Sequence, residues 1–178
     1  MGHYSINARR AAFTGVFTAV ALIISLFEYL LPPIVPVLPY ARAGISNIII
    51  LGAIFLIGVK EAYLIIIIKS VLTAVFMGNP QMILYSLPSG LISLTLMCLL
   101  IKTSKFSLTA ISMSGGAVHN LVQLGVAAAI TQSFAVFVYT PYLTGFGAVA
   151  GVATGIAGYM LIKKFPDKLK VNNDKEEI

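Results

Sequence analysis

Six apolar stretches, each bounded by charges, prolines or a turn signal, restrict the folds open to this chain. They cover about residues 11–31, 43–59, 62–77, 82–101, 106–130 and 143–162. About 20 mainly apolar residues in a helix cross the ~30 Å hydrocarbon core of a bilayer. A helix also satisfies its own backbone groups there. The sequence therefore predicts an all-α integral membrane protein with a six-helix transmembrane domain at 1–162 and a charged cytoplasmic tail at 163–178.

The composition supports this class, with 58% hydrophobic residues, 10% charged residues and a mean hydropathy of +0.96. A net charge of +6 in a soluble chain would suggest nucleic acid as a partner. Here the basic residues flank apolar stretches, so we expect a lipid bilayer and no nucleic acid. A single cysteine, Cys98, excludes an intrachain disulfide and a cysteine metal cluster. We expect no metal and no cofactor.

The basic residues also predict an orientation. Ten of them fall on the side of the termini: Arg9, Arg10, Lys60, Lys102, Lys105, Lys163, Lys164, Lys168, Lys170 and Lys175. The opposite side has only Arg42. Because loops rich in Lys and Arg remain in the cytoplasm, we expect both termini inside a cell membrane, such as a bacterial plasma membrane. The proline-rich loop after residue 31 and the turn at Asn79 would then face outward.

The densest polar group of the apolar stretches lies within residues 112–123, which read S-M-S-G-G-A-V-H-N-L-V-Q. Helical periodicity places its small and polar members on one stripe. These are Ser112, Gly115, Gly116, His119, Asn120 and Gln123. The stripe has two interpretations: hydrogen bonding between helices, which is common in membranes, or the lining of a cavity for a polar ligand.

Only three charged residues lie within the predicted spans or at their edges: Glu28, Arg42 and Lys69. Each costs about 2.5–3.5 kcal/mol at a bilayer centre, so each needs a partner or a function. A buried ion pair of Glu28 with Arg42 or Lys69 is one interpretation. The other is a ligand site in the outer half of the membrane. Its candidate residues are Glu28, Arg42, Asn47, Lys69, Asn79, His119, Asn120 and Gln123. One carboxylate cannot neutralise two cations, so this site would favour an anionic or carbonyl-rich ligand.

Three further sets of small residues indicate close helix contacts. In the sixth stretch, Gly147, Gly151, Gly155 and Gly158 predict an internal interface. In the first stretch, Ala11, Gly15 and Ala19 form a ridge near the cytoplasmic end, where either core packing or a partner helix would explain it. The small face of the fourth stretch could line the pocket or admit a neighbouring helix; it consists of Ser86, Ser89, Gly90 and Ser93.

Several motifs resemble one family. Glu28 is followed by prolines, and the further motifs are G-I-S-N-I-I-I-L at 44–51, G-V-K-E-A at 58–62, G-N-P at 78–80, Y-S-L-P-S-G at 85–90 and G-A-V-H-N-L-V-Q at 116–123. They resemble heptaprenyl diphosphate synthase component I, also called the Gx transporter family. That family is similar to the S components of energy-coupling factor (ECF) transporters. The resemblance implies a six-helix subunit that binds a vitamin-like metabolite from outside and docks on a membrane T component driven by two ATPases. The ridge at Ala11, Gly15 and Ala19 is similar to their docking motif.

The residues argue against catalysis by this chain. A magnesium-dependent prenyl synthase needs several carboxylates, yet no aspartate precedes Asp167, and Glu28 and Glu61 are expected on opposite sides of the membrane. The sequence also lacks a G-x-x-x-x-G-K-[ST] motif for ATP. Two hypotheses remain: an S subunit that captures a vitamin-like or quinone- or isoprenoid-related metabolite, and a non-catalytic membrane accessory of polyprenyl diphosphate or quinone synthesis.

Overall fold

The structure, a computed structural model, describes residues 2–33, 42 and 44–164, with side chains from Ala8 onward. Its elements in chain order are α1 (Gly2–Leu30), α2 (Asn47–Leu56), α3 (Val59–Phe76), α4 (Gln81–Lys102), α5 (Leu108–Thr131), a 3₁₀ helix (Phe134–Tyr139) and α6 (Thr140–Lys164). The described part of the chain contains helices and no strand, so the all-α prediction is confirmed there. The tail from residue 165 and the loop around Pro36 and Pro39 lie outside the described residues.

Four helical segments are long and apolar enough to cross a membrane: Ala8–Leu30 of α1, Gln81–Lys102, Leu108–Thr131, and Phe134–Lys164, which joins the 3₁₀ helix to α6. These segments identify a membrane protein. α3 has 18 residues but carries three charged ones, Lys60, Glu61 and Lys69. α2 has only 10 residues and is therefore about 15 Å long at the usual helical rise, half the thickness of the hydrocarbon core.

The short α2 corrects the helix predicted over residues 43–59. Gly44 and Gly58 bracket it with φ angles of +74° and +145°, which L side chains rarely adopt. The apolar run therefore continues through positions where the backbone leaves helical geometry. The run does mark burial correctly, because α2 lies inside the bundle, with Ile50 and Leu51 fully buried. Apolar composition alone did not reveal that this buried segment is shorter than a span.

The bundle is built around α2 and α5. α2 packs against α1, α3 and α6, and α5 packs between α4 and α6. The main hydrophobic core joins side chains from α1 to α5, including Phe17, Leu51, Ile65, Leu94 and Ile111. This arrangement brings the carboxyl ends of α1, α3 and α5 and the amino end of α2 to one end of the bundle, which we call the α1 C-terminal end.

The glycines of α6 lie in an internal interface, as predicted. A Cβ atom added at Gly151 would lie 2.6 Å from Cα of Met113 in α5, so only glycine permits this approach. Gly147 meets the backbone of Gly116 in the same way. Hydrogen bonds reinforce the contact, because the hydroxyls of Ser112 and Thr154 lie 2.8 Å apart. The closest helix pair of the bundle is thus α5 with α6.

Candidate functional site

The polar residues of the α1 C-terminal end meet around the residues that precede α2. We call this the buried polar network, and it consists of Ser25, Glu28, Arg42, Gly44, Ser46, Lys69, His119 and Gln123. Its members come from α1, α3, α5 and the chain between Arg42 and Ser46. The network therefore joins three helices to the segment that leads into α2.

Glu28 holds that segment through its backbone. One carboxylate oxygen accepts hydrogen bonds from the amide of Gly44 at 2.6 Å and the amide of Ile45 at 3.4 Å. Gly44 has φ +74°, and a Cβ atom there would lie 2.9 Å from Nδ2 of Asn47 and 3.2 Å from Cδ2 of His119. The site thus requires glycine at position 44 for both its conformation and its space.

Arg42 closes the end of α1. Its guanidinium donates to the backbone oxygens of Leu31 at 2.7 Å and Glu28 at 3.2 Å, and lies 4.7 Å from the ring centroid of Tyr29. The last carbonyls of a helix have no partner within the helix and carry its negative dipole end, so a cation is stabilising there. The ring adds a cation–π contact. Arg42 is therefore bound by neutral groups in addition to its attraction to Glu28.

Lys69 is 5% exposed and sits at the centre of the network. Its ammonium donates to the hydroxyl of Ser46 at 2.6 Å and to that of Ser25 at 3.5 Å. Glu28 attracts Lys69 electrostatically but is not among its hydrogen-bond partners in the described part of the chain. The predicted internal ion pair thus takes the form of attraction across the network, without a direct hydrogen bond between carboxylate and cation.

His119 and Gln123 connect α5 to the same segment. The side-chain oxygen of Gln123 accepts from the backbone amide of Arg42 at 2.9 Å, which fixes the orientation of the Gln123 amide. Its Nε2 therefore donates to Nε2 of His119 at 3.0 Å, and the histidine is assigned the tautomer protonated at Nδ1. That Nδ1 is buried and makes no hydrogen bond with the described residues.

The polar side chains of the predicted α5 stripe divide between α6 and the buried polar network. Ser112 and Asn120 face α6, where Nδ2 of Asn120 donates to the backbone oxygen of Leu143 at 2.8 Å. Only His119 and Gln123 reach the network. The stripe therefore combines both interpretations, since one line of residues joins helices and the other lines the polar network.

Two other predicted ligand residues have different surroundings. Asn47 begins α2, is 8% exposed and places its amide beside Gly44. Asn79 lies in the turn between α3 and α4, where its side-chain oxygen accepts from the amide of Gln81 at 3.0 Å. Asn47 thus adjoins the network, whereas Asn79 supports the start of α4.

The small face of α4 packs against neighbouring helices. The hydroxyl of Ser93 donates to the backbone oxygen of Gly115 in α5 at 2.8 Å. Ser86 contacts Ser70 of α3 at 2.9 Å. At Ser86 and Ser93 this face therefore admits neighbouring helices, which favours the packing interpretation at these two positions.

Sequence reasoning missed Ser25 and Ser46, the hydroxyl partners of Lys69. Ser25 lies three residues before Glu28, so the helical period places both on the buried face of α1. Ser46 stands two residues after the glycine that turns the chain. Among the residues described, no three His, Cys, Asp or Glu side chains are grouped as a metal site would need.

A second surface of interest is the ridge of small residues on α1, formed by Ala11, Gly15 and Ala19, which we call the α1 ridge. All three are exposed, and a Cβ atom at Gly15 would find nothing within 4 Å. The opposite face of α1 packs into the bundle through Phe17 and Ala21. Core packing by the described residues therefore does not account for the ridge.

The fold and site define an all-helical membrane protein with a buried, net positive polar network at one end of its bundle. The chain belongs to the family described as heptaprenyl diphosphate synthase component I, which it matches over residues 17–161. The resemblance inferred from the motifs is thereby confirmed. A comparison with curated proteins found no match.

Proposed function

We propose that this protein is the substrate-binding S subunit of an ECF-type importer. It would capture a small vitamin-like or quinone- or isoprenoid-related metabolite from the outer side of a bacterial plasma membrane. The observation that carries the proposal is Lys69, a residue 5% exposed whose ammonium finds its hydrogen-bond partners among the described residues in the neutral hydroxyls of Ser25 and Ser46. Burying a cation that has no anion bonded to it costs free energy. An anionic or carbonyl-rich ligand bound to the ammonium would lower that cost.

The proposed ligand is anionic or carbonyl-rich and binds beside Lys69. Asn47 and His119, which lie beside Gly44, would supply further polar groups, while Glu28, Arg42 and Gln123 hold the segment before α2 in place. Of the other sequence candidates, Asn120 bonds to α6 and Asn79 to the start of α4, so they support the walls of the site. No cofactor or metal is required for binding of this kind.

The proposed orientation has both termini in the cytoplasm and six crossings, which places the α1 C-terminal end outside. α2 is too short to cross as a helix alone, so the residues before it would complete the crossing. Non-helical backbone at membrane depth is tolerated where protein surrounds it, as the buried Gly44 and Ser46 are.

Labelling of engineered cysteines tests this orientation. Asn79→Cys and Thr103→Cys would each be made with Cys98 replaced by serine. An impermeant maleimide applied to intact cells should modify position 79 and spare position 103. Labelling of position 103 in preference to position 79 would reverse the topology and remove access to the site from outside.

Partner docking is the second half of the proposal. The α1 ridge would meet a helix of a membrane T component, which in turn is driven by two ATPase subunits. Small residues spaced by four allow such close approach, and the ridge is exposed along its length. The chain itself has no Walker A motif, so the energy for transport must come from partners.

The alternative function is a non-catalytic membrane accessory of polyprenyl diphosphate or quinone synthesis. The description of the family, which names a component of heptaprenyl diphosphate synthase, favours it. It would explain the absence of an aspartate before Asp167 if a partner chain supplied the catalytic carboxylates. The accessory function gives no reason for a buried lysine that is hydrogen-bonded to two serines.

Gentle purification from the native membrane separates the two functions. Recovery of the chain with a T component and ATPases, together with a small molecule detected by native mass spectrometry, supports the importer. Recovery with a prenyltransferase and without those subunits supports the accessory. In the importer, Lys69→Met should weaken retention of the small molecule more than tenfold, or about 1.4 kcal/mol. Unchanged retention in a monodisperse Lys69→Met protein would contradict the proposed site.

A further inference from the structure

The charged residues of the six-helix domain, residues 11–162, define the charge of the buried polar network. Between residues 11 and 162 the charged residues are Glu28, Arg42, Lys60, Glu61, Lys69, Lys102 and Lys105. The residues outside the described ranges at 34–41 and 43 contain none. Lys60 and Glu61 begin α3 at the opposite end of the bundle, and Lys102 ends α4 there. The network therefore holds two cations and one carboxylate.

Glu28 is electrostatically coupled to both cations. It attracts Lys69 and Arg42, and each of them in turn attracts Glu28. Glu28 is 7% exposed, and its carboxylate is fixed by the amides of Gly44 and Ile45. Because Glu28 is the acidic residue that the described part of the chain places at this end of the bundle, it determines how much positive charge is left there for a ligand.

The excess is one positive charge. A ligand with one negative charge brings the network to neutrality, whereas a ligand with two leaves one anion uncompensated in a buried site. An uncompensated buried charge costs several kcal/mol after relaxation. The number of charges on the ligand therefore matters more here than the chemical identity of its head group.

We propose that Glu28 sets the ligand charge at one, so that the site takes a carboxylate or another monoanion and rejects phosphate monoesters and diphosphates. This inference rests on the proposed function, since it specifies the head group of the ligand beside Lys69. It also bears on the family description, because a free polyprenyl diphosphate carries more negative charge than the network can neutralise.

Glu28 acts on the ligand through charge. Its carboxylate oxygen already accepts two backbone amides, so it is engaged with the protein. Glu28→Gln keeps a side-chain oxygen that can accept both amides and removes the negative charge. The substitution raises the net charge of the network from one to two positive charges. A bound dianion would then bring the network to neutrality.

The test uses three probes that share a phenyl body: benzoate, methyl phenyl phosphate and phenyl phosphate. The first two are monoanions, and at pH 8 the third is a dianion, since the second pKa of a phosphate monoester is about 6. Binding of each probe to the purified full chain in detergent is measured by calorimetry. We expect wild type to bind both monoanions at least tenfold more tightly than phenyl phosphate, and Glu28→Gln to lose or invert that preference.

Two results would overturn the inference while leaving an anion site in place. One is wild type that binds phenyl phosphate as tightly as its methyl diester. The other is a Glu28→Gln protein with the same preference as wild type. If Glu28→Gln does not fold, the comparison of diester and monoester in wild type decides alone. If none of the three probes binds to wild type or to Lys69→Met, the proposed anionic ligand is contradicted, and this inference is contradicted with it.

Discussion

The small-residue stripes of α6 and α1 share one sequence pattern and have opposite surroundings. On α6, Gly151 approaches the backbone of α5 so closely that a Cβ atom would lie 2.6 Å from Cα of Met113. On α1, the same test at Gly15 finds nothing within 4 Å. Small residues every four positions thus mark close helix contact, and the structure shows which stripe already has its partner. The stripe of α1 is exposed among the described residues, and it is the one that we propose as a docking surface.

The largest effect should come from filling the α6 stripe. Gly151→Ala places a methyl group against backbone atoms that cannot rotate away, so we expect a loss of about 1–3 kcal/mol or more. Thermal unfolding in detergent measures it. Gly145→Ala is the matched control, because Gly145 is exposed on the same helix and has open space at its Cβ position. Equal melting temperatures of the two variants would contradict the close approach of α5 and α6.

A smaller effect is expected at Gly158, about two turns further along α6 than Gly151. A Cβ atom at Gly158 would lie 2.8 Å from Cδ2 of Leu51, the end of a flexible side chain. Because that leucine can rotate, Gly158→Ala should cost less than about 1 kcal/mol, between the values for Gly151→Ala and Gly145→Ala in the same experiment. A cost above that of Gly151→Ala would show that α2 is held more rigidly than α5.

The α1 ridge should tolerate the same substitution. Gly15→Ala meets open space and replaces glycine by a better helix former, so we expect unchanged stability or a gain of up to about 1 kcal/mol. The melting temperature of the isolated subunit tests this. A clear loss would mean that α1 packs against part of the chain outside the described residues, and the contrast between the two stripes would fail.

The sequence predicts the helices where apolar length and boundaries agree. α4 and α5 begin and end within a few residues of the predicted stretches because Pro80, Lys102 and Ser107 mark their ends. The prediction over 43–59 was wrong because apolar composition indicates burial and not helix length. At Gly44 the backbone is left-handed, its amide binds Glu28, and Asn47 and His119 leave no room for a Cβ atom.

The sequence allowed the charged residues of the site to be predicted, but not most of the contacts that they make. Isolated charges in apolar stretches pointed to Glu28, Arg42 and Lys69, since such groups are expensive in a bilayer. Of their partners, Ser25 shares the helical period of Glu28, whereas Ser46 and the backbone amides carry no distinctive signal in the sequence. The division of the α5 stripe between two neighbours likewise depends on helix packing, which brings Asn120 to α6 and Gln123 to Arg42.

The most direct test of the proposed function is complex formation through the α1 ridge. Gly15→Leu and its control Gly145→Leu would each be expressed with the T component and ATPase subunits that co-purify with wild type. Both leucines enter open space on a helix surface, so both subunits should fold alone with wild-type melting temperatures. We predict that Gly15→Leu reduces recovery of the complex more than tenfold while Gly145→Leu retains it. Equal recovery with both variants would show that the ridge is not a docking surface and would contradict the account.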